Sequence, residues 1–171
     1  FNWWAFVGPQ PLTGALDGTL TWTFDSLPVV GPITAAQLGA AMFLLVTAIV
    51  VVTLVLRDDE DTLVISLTLM AVAFFAVPTR VHERYLFPAF AIGALLALRS
   101  SRWRWWYLAL AIANVANLHA ILTLPFEGYA TPGLRDLPLG ALLREPVVVG
   151  LIADVHIALF VVLMAYFVRR V

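Results

Sequence analysis

From Ala35 to Leu56 the chain runs for 22 residues without a charged side chain. At about 1.5 Å per residue, a helix of that length crosses a hydrocarbon core of about 30 Å. Composition says which solvent the run was built for. Of 171 residues, 62% are hydrophobic and only 12% are charged, with a mean hydropathy of +0.94. A soluble domain is about 45–50% apolar and about 25% charged. The polar surface here is too small to clothe a water-soluble globule, and a bilayer is the fitting solvent.

The rest of the chain repeats the pattern and predicts an all-α fold, a polytopic transmembrane bundle of about five spans. Residues 1–34 read as an extracytoplasmic loop region, because Gly8, Pro9, Pro11, Gly14, Gly18, Pro28, Gly31 and Pro32 interrupt it. Its Trp3, Trp4, Phe6, Trp22 and Phe24 suit the membrane interface, where Trp is enriched. Residues 35–171 form the transmembrane domain, with spans at about 35–56, 62–78, 81–98, 105–124 and 146–168. Between the first two lies the polar turn Arg57, Asp58, Asp59, Glu60, Asp61. The stretch from Tyr85 to Leu98 is short for a crossing and suffices if its helix begins near Val81. The chain starts at Phe1 without an initiator Met or a leader pattern, so the expectation is the C-terminal part of a larger protein whose N-terminal part is missing.

Arginines set the orientation, since positive loops stay cytoplasmic. Arg57, Arg99, Arg102, Arg104, Arg169 and Arg170 fall on one side; Arg80, Arg84, Arg135 and Arg144 fall on the other. The first group is expected to face the cytoplasm, which puts residues 1–34, 80–84 and 125–145 outside. All ten cationic residues are arginine and the net charge is −1, which excludes a broad basic surface for nucleic acid. With no cysteine, there are no disulfides, thiolate metal sites or cysteine nucleophiles.

One stretch concentrates ionisable groups between two apolar runs: Pro78-Thr79-Arg80-Val81-His82-Glu83-Arg84-Tyr85-Leu86-Phe87-Pro88. Charge beside hydrocarbon is expensive unless it is paired or interfacial. Helical spacing predicts Arg80, Glu83, Arg84 and Phe87 on one face, with His82 toward Leu86. Two guanidinium forks, a titratable imidazole and helix N-terminal amides suit a phosphate. Glu83 then holds an arginine in position or acts as a base. The competing reading is a snorkelling interfacial turn in which Glu83 only neutralises an arginine.

Thr79-Arg80-Val81-His82-Glu83-Arg84-Tyr85-Leu86-Phe87-Pro88 resembles the TRxHERYLFP signature of bacterial membrane mannosyltransferases of the C-type (GT-C) glycosyltransferase superfamily. These are similar to the eukaryotic enzyme that adds the second mannose of GPI anchors. Phe1-Asn2-Trp3-Trp4 resembles the end of the family's upstream Asn-x-x-x-Asn-Leu-Trp run. The resemblance implies a multi-pass enzyme of the bacterial plasma membrane with an outward-facing site. It would transfer a sugar from a polyprenyl-phosphate donor to a lipid-linked or surface acceptor. It assigns donor phosphate binding to Arg80, His82 and Arg84, with His82 and Glu83 as catalytic candidates and Tyr85 as a secondary candidate along the sugar or isoprenoid path. The family's usual catalytic acid, in the first external loop, would lie upstream of Phe1. A role for a divalent cation is open on these residues.

Polar residues also punctuate the spans. Asn114 and Asn117 read as interhelical hydrogen-bonding groups. Asp154, with His119 or His156 at comparable depth, is a secondary candidate, because a carboxylate in a span faces a cavity or a partner. An Asp/His relay of this kind is the alternative function, a multi-pass transporter or flippase, for which broken helices and an internal repeat are the usual signs. Asp17, Asp25, Glu127, Asp136 and Glu145 show no calcium or zinc spacing, so no metal site is expected.

Overall fold

The computed structural model describes residues 1–7, 10–11, 21–22, 25–79, 81–123 and 137–169. The protein is all-α apart from short strands. Among the described residues six helices follow one another: α1 (Ala35–Leu56), α2 (Glu60–Ala76), α3 (Phe87–Arg99), α4 (Ser101–Leu122), α5 (Gly140–Leu143) and α6 (Pro146–Val168). Two single 3-10 turns, Trp3–Phe6 and Glu83–Leu86, complete the helical part. Four strands of two or three residues pair as antiparallel hairpins, Gln10–Pro11 with Thr21–Trp22 and Pro28–Val30 with Ile33–Thr34. Gly31 turns the second hairpin with φ of 55°, a conformation that suits a residue without Cβ.

Among the described residues three helices, α1, α4 and α6, are long and apolar enough to cross a membrane. Three of the five expected spans thus have the length and hydropathy of a crossing helix. The expected span 62–78 becomes the 17 residues of α2, and the expected span 81–98 becomes the 13 of α3. The span 105–124 begins earlier, at Ser101, where the Ser100 side chain accepts a hydrogen bond from the Trp103 amide. Capping fixes two other starts. Thr34 and Gln37 form a reciprocal capping box on α1, and Asp59 accepts from the Thr62 amide at 2.8 Å to start α2. The expected loop 125–145 lies largely outside the described residues; its last part folds into α5.

Alpha 2 is the central helix, packed on α1, α3 and α6 and buried at ten of its positions. On its protein-facing sides it carries Thr62, Ser66 and Thr68, and Thr68 returns its hydroxyl to the Val64 carbonyl at 2.8 Å. Leu69, Val72, Phe75, Leu86, Leu96, Leu110, Leu163 and Phe167 form one core across the helices. Large apolar side chains such as Leu44, Val52, Val55, Leu98, Trp105 and Val147 point outward, the surface expected of helices that meet lipid.

The bundle has two chemically distinct ends. At one, Arg99 pairs with Glu60 (2.8 Å) and with Asp61, so the expected acidic turn is bound to the α3 terminus. The other end carries the first 3-10 turn, the Pro28–Thr34 hairpin, the Glu83–Leu86 turn and α5. There Arg144 donates to the Thr123 carbonyl (3.0 Å) and hydroxyl (2.9 Å), closing the end of α4. Leu139, the residue before α5, is held at φ of 71° with its side chain 63% exposed. A left-handed conformation costs a non-glycine residue about 1–2 kcal/mol, and little packing offsets it here. Leu139→Gly is expected to stabilise the protein by about 1 kcal/mol, read as a higher Tm in detergent; a lower Tm would contradict this account of the turn.

Candidate functional site

The signature lies at the end of the bundle opposite Arg99, where α2 stops and α3 starts. Helix does not begin at Val81 as its spacing suggested. His82 is extended (φ −94°, ψ 151°), and the chain then makes the 3-10 turn Glu83–Leu86 before α3 begins at Phe87. Pro88 explains the tightening. It has no N–H to give to the Arg84 carbonyl four residues back, and the Phe87 amide takes that carbonyl instead.

The turn spreads its side chains differently from a regular helix. Leu86 is fully buried and anchors the segment to the core. His82 and Arg84 are exposed, and Glu83 is half-buried. The His82 ring meets Tyr85 edge to face at 5.6 Å, and the Arg84 guanidinium lies 6.0 Å from the Tyr85 ring centre. No hydrogen bond or ion pair joins Glu83 to His82 or to Arg84. The expected clamp of Glu83 on Arg84 is therefore not formed, and the Arg84 guanidinium has all of its N–H donors to offer. Arg80, the other predicted phosphate ligand, lies outside the described residues.

The first residues of the chain dock beside this turn. Asn2 donates its side-chain amide to the carbonyls of Phe75 (3.0 Å) and Pro78 (3.2 Å). Trp4 donates its indole N–H to the Val77 carbonyl at 2.7 Å and is itself 4% exposed. Carbonyls at a helix C-terminus have no partner within the helix, so these two side chains complete the end of α2. Gly39 of α1 leaves room for the arrangement: a Cβ there would lie 3.2 Å from both Trp4 Cζ2 and the Val77 oxygen. The Phe1 nitrogen donates to Asn117 Oδ1 at 2.6 Å. Two stretches about 75 residues apart in sequence thus share one end of the fold.

Two residues not singled out by sequence extend the cluster. Tyr85 packs on Phe74 of α2 at 5.6 Å, and Phe74 packs on Phe43 of α1 at 5.7 Å. With the His82 contact, these rings form a continuous aromatic row from the ionisable turn onto the side of the bundle. Phe74 is 44% exposed, so the row faces outward. Its signal in sequence was faint, because a Phe in an apolar span looks like any other core or lipid-facing residue.

The remaining candidates do not converge. His119 uses Nε2 for the Pro138 carbonyl at 2.7 Å, which ties α4 to the segment before α5. His156 is 1% exposed and stacks edge to face on Phe75 at 5.1 Å. Asp154 faces away from both, exposed on α6 without a hydrogen bond or ion pair. The contact expected between Asp154 and a histidine is not made. Asn117 binds the Phe1 nitrogen rather than a second helix, and both asparagines are buried. Among the described residues, no three His, Asp or Glu side chains group as metal ligands do. No protein-family model, curated protein or solved structure matches this chain.

Proposed function

We propose that the protein is a membrane glycosyltransferase of the GT-C type, moving mannose from a polyprenyl-phosphate carrier to a lipid-linked or surface acceptor on the outer face of a bacterial plasma membrane. What carries this reading is the docking of Asn2 and Trp4 on the α2 terminus that leads into the signature. The two stretches that resemble the mannosyltransferases are assembled side by side.

The chemistry of the turn fits a polyprenyl-phosphate sugar at both of its ends. Arg84 presents an uncommitted guanidinium, and His82 an exposed imidazole, to a phosphodiester. The row Tyr85, Phe74, Phe43 offers the isoprenoid chain an apolar path along α1 and α2. In transfer, the bond between the sugar C1 and the phosphate oxygen breaks, and a bond from C1 to the acceptor oxygen forms. Negative charge collects on the departing polyprenyl phosphate, where Arg84 stabilises it and His82 donates a hydrogen bond or a proton. The acceptor hydroxyl proton passes to a carboxylate, and Glu83 is the carboxylate of this cluster. Arg80 would supply the second guanidinium.

An assay with the purified full-length protein and polyprenyl-phosphate mannose, run beside the glucose analogue, tests the reading. Transfer of mannose is expected, and His82→Ala should lower it by about 10²-fold, the usual size of a general acid contribution. No transfer from either donor, or full activity in His82→Ala, would overturn it.

A further inference from the structure

We propose that the exposed face of α6 centred on Asp154 is an interface for another membrane-spanning helix, one that carries an arginine or lysine level with that carboxylate. Alpha 6 exposes Val147, Leu151, Asp154, Ala158, Val161 and Ala165, which recur every three or four residues and so form one stripe along the helix. Every member is apolar except Asp154. It lies eight residues past Pro146, about 12 Å down the helix axis, a depth that falls within the hydrocarbon of one leaflet for a crossing that starts at Pro146. There its carboxylate is exposed and makes no hydrogen bond or ion pair.

A carboxylate facing lipid is costly, and carboxylates at such depths are found against a partner or a polar cavity. The described residues of the bundle supply neither. Among the described residues Arg57, Arg99, Arg102, Arg104 and Arg169 cluster at one end, and Arg84 and Arg144 at the other. His119 is committed to Pro138, and His156 is buried against Phe75. Ala158 and Ala165 keep the same face shallow enough for a second helix backbone to approach. A second copy of this chain does not fit: pairing along the stripe sets Asp154 beside its own counterpart, like against like. The occupant is therefore a helix from outside these residues, with a basic side chain that complements the carboxylate. This interface does not depend on the proposed enzymatic activity.

The test is photo-crosslinking in native membranes. A photoreactive amino acid is placed at Leu151 or at Val161, with Val52 on the exposed side of α1 as the comparison, and the adducts are mapped by mass spectrometry. The expected adducts from positions 151 and 161 lie in a membrane-spanning peptide with an arginine or lysine at the depth of Asp154, while position 52 labels lipid. Asp154→Asn keeps the shape and removes the charge, and it should lower the yield at least about tenfold. Exchanging the charges, Asp154→Arg with the partner's basic residue changed to Asp, should restore it. Lipid adducts alone, adducts to α6 of a second copy, a captured span without a basic residue, or a yield unmoved by Asp154→Asn would each overturn the proposal.

Discussion

Replacing Arg84 with alanine is expected to reduce sugar transfer by about 10²–10³-fold, the loss usually seen when one preorganised donor to a developing oxyanion is removed. The structural reason is that Arg84 has no structural duty to lose. Its guanidinium is exposed, free of any carboxylate, and touches only the Tyr85 ring at 6.0 Å. Folding and membrane insertion should therefore be unchanged, with Tm within a degree or two of the parent, since exposed sites away from special features shift stability by about 0.5 kcal/mol or less. Arg84→Lys keeps the charge and loses the planar fork, so it should recover only part of the activity. Activity in Arg84→Ala equal to the parent, with the parent active, would remove Arg84 from the site.

Trp4→Ala carries the largest expected effect on stability, about 3–5 kcal/mol, as for other buried aromatic truncations. Two losses combine. A side chain 4% exposed leaves a cavity against Gly39, and the Val77 carbonyl loses its indole donor. Without the tryptophan, residues 1–7 keep the Asn2 and Phe1 hydrogen bonds but lose their one buried aromatic anchor, so protease cleavage near the N-terminus should accelerate. Trp4→Phe helps to separate the terms, because it keeps part of the ring packing while removing the N–H. A Trp4→Ala protein as heat-stable in detergent as the parent would show that this docking contributes nothing.

How much of this was legible beforehand follows the strength of the physical signal. Alpha 1 and α6 could be read to the residue, because uninterrupted apolar runs ended by charge or proline have one good solution in a bilayer. The run after Val81 looked like the start of a helix and is a 3-10 turn, since the missing amide of Pro88 acts four residues upstream, on Arg84, where a hydropathy pattern cannot register it. The expected depth match between Asp154 and His119 did not hold, because α4 ends at Leu122 and leaves His119 near its terminus, bonded to Pro138, while Asp154 lies eight residues into α6. For His156, sequence distance was silent about azimuth. A helix turns about 100° per residue, and Asp154 and His156 consequently face opposite ways. The aromatic row through Phe74 and Phe43 depends on how α1, α2 and the turn pack together, which no single segment encodes. Asn2 and Trp4, by contrast, were readable only through resemblance, and their hydrogen bonds to the α2 terminus supply the physical reason for residues of those types.

The central claim is that Arg84 and His82 hold the phosphate of a polyprenyl carrier at the end of α2 and α3 opposite Arg99. The most direct measurement is equilibrium binding of a radiolabelled short-chain polyprenyl phosphate to the purified protein in detergent, compared with its Arg84→Ala and His82→Ala variants. The account predicts saturable binding in the parent, with Kd raised about 10–100-fold by Arg84→Ala, the scale of a charge-assisted phosphate contact. Equal Kd in the parent and both variants, with their folding intact, would contradict it.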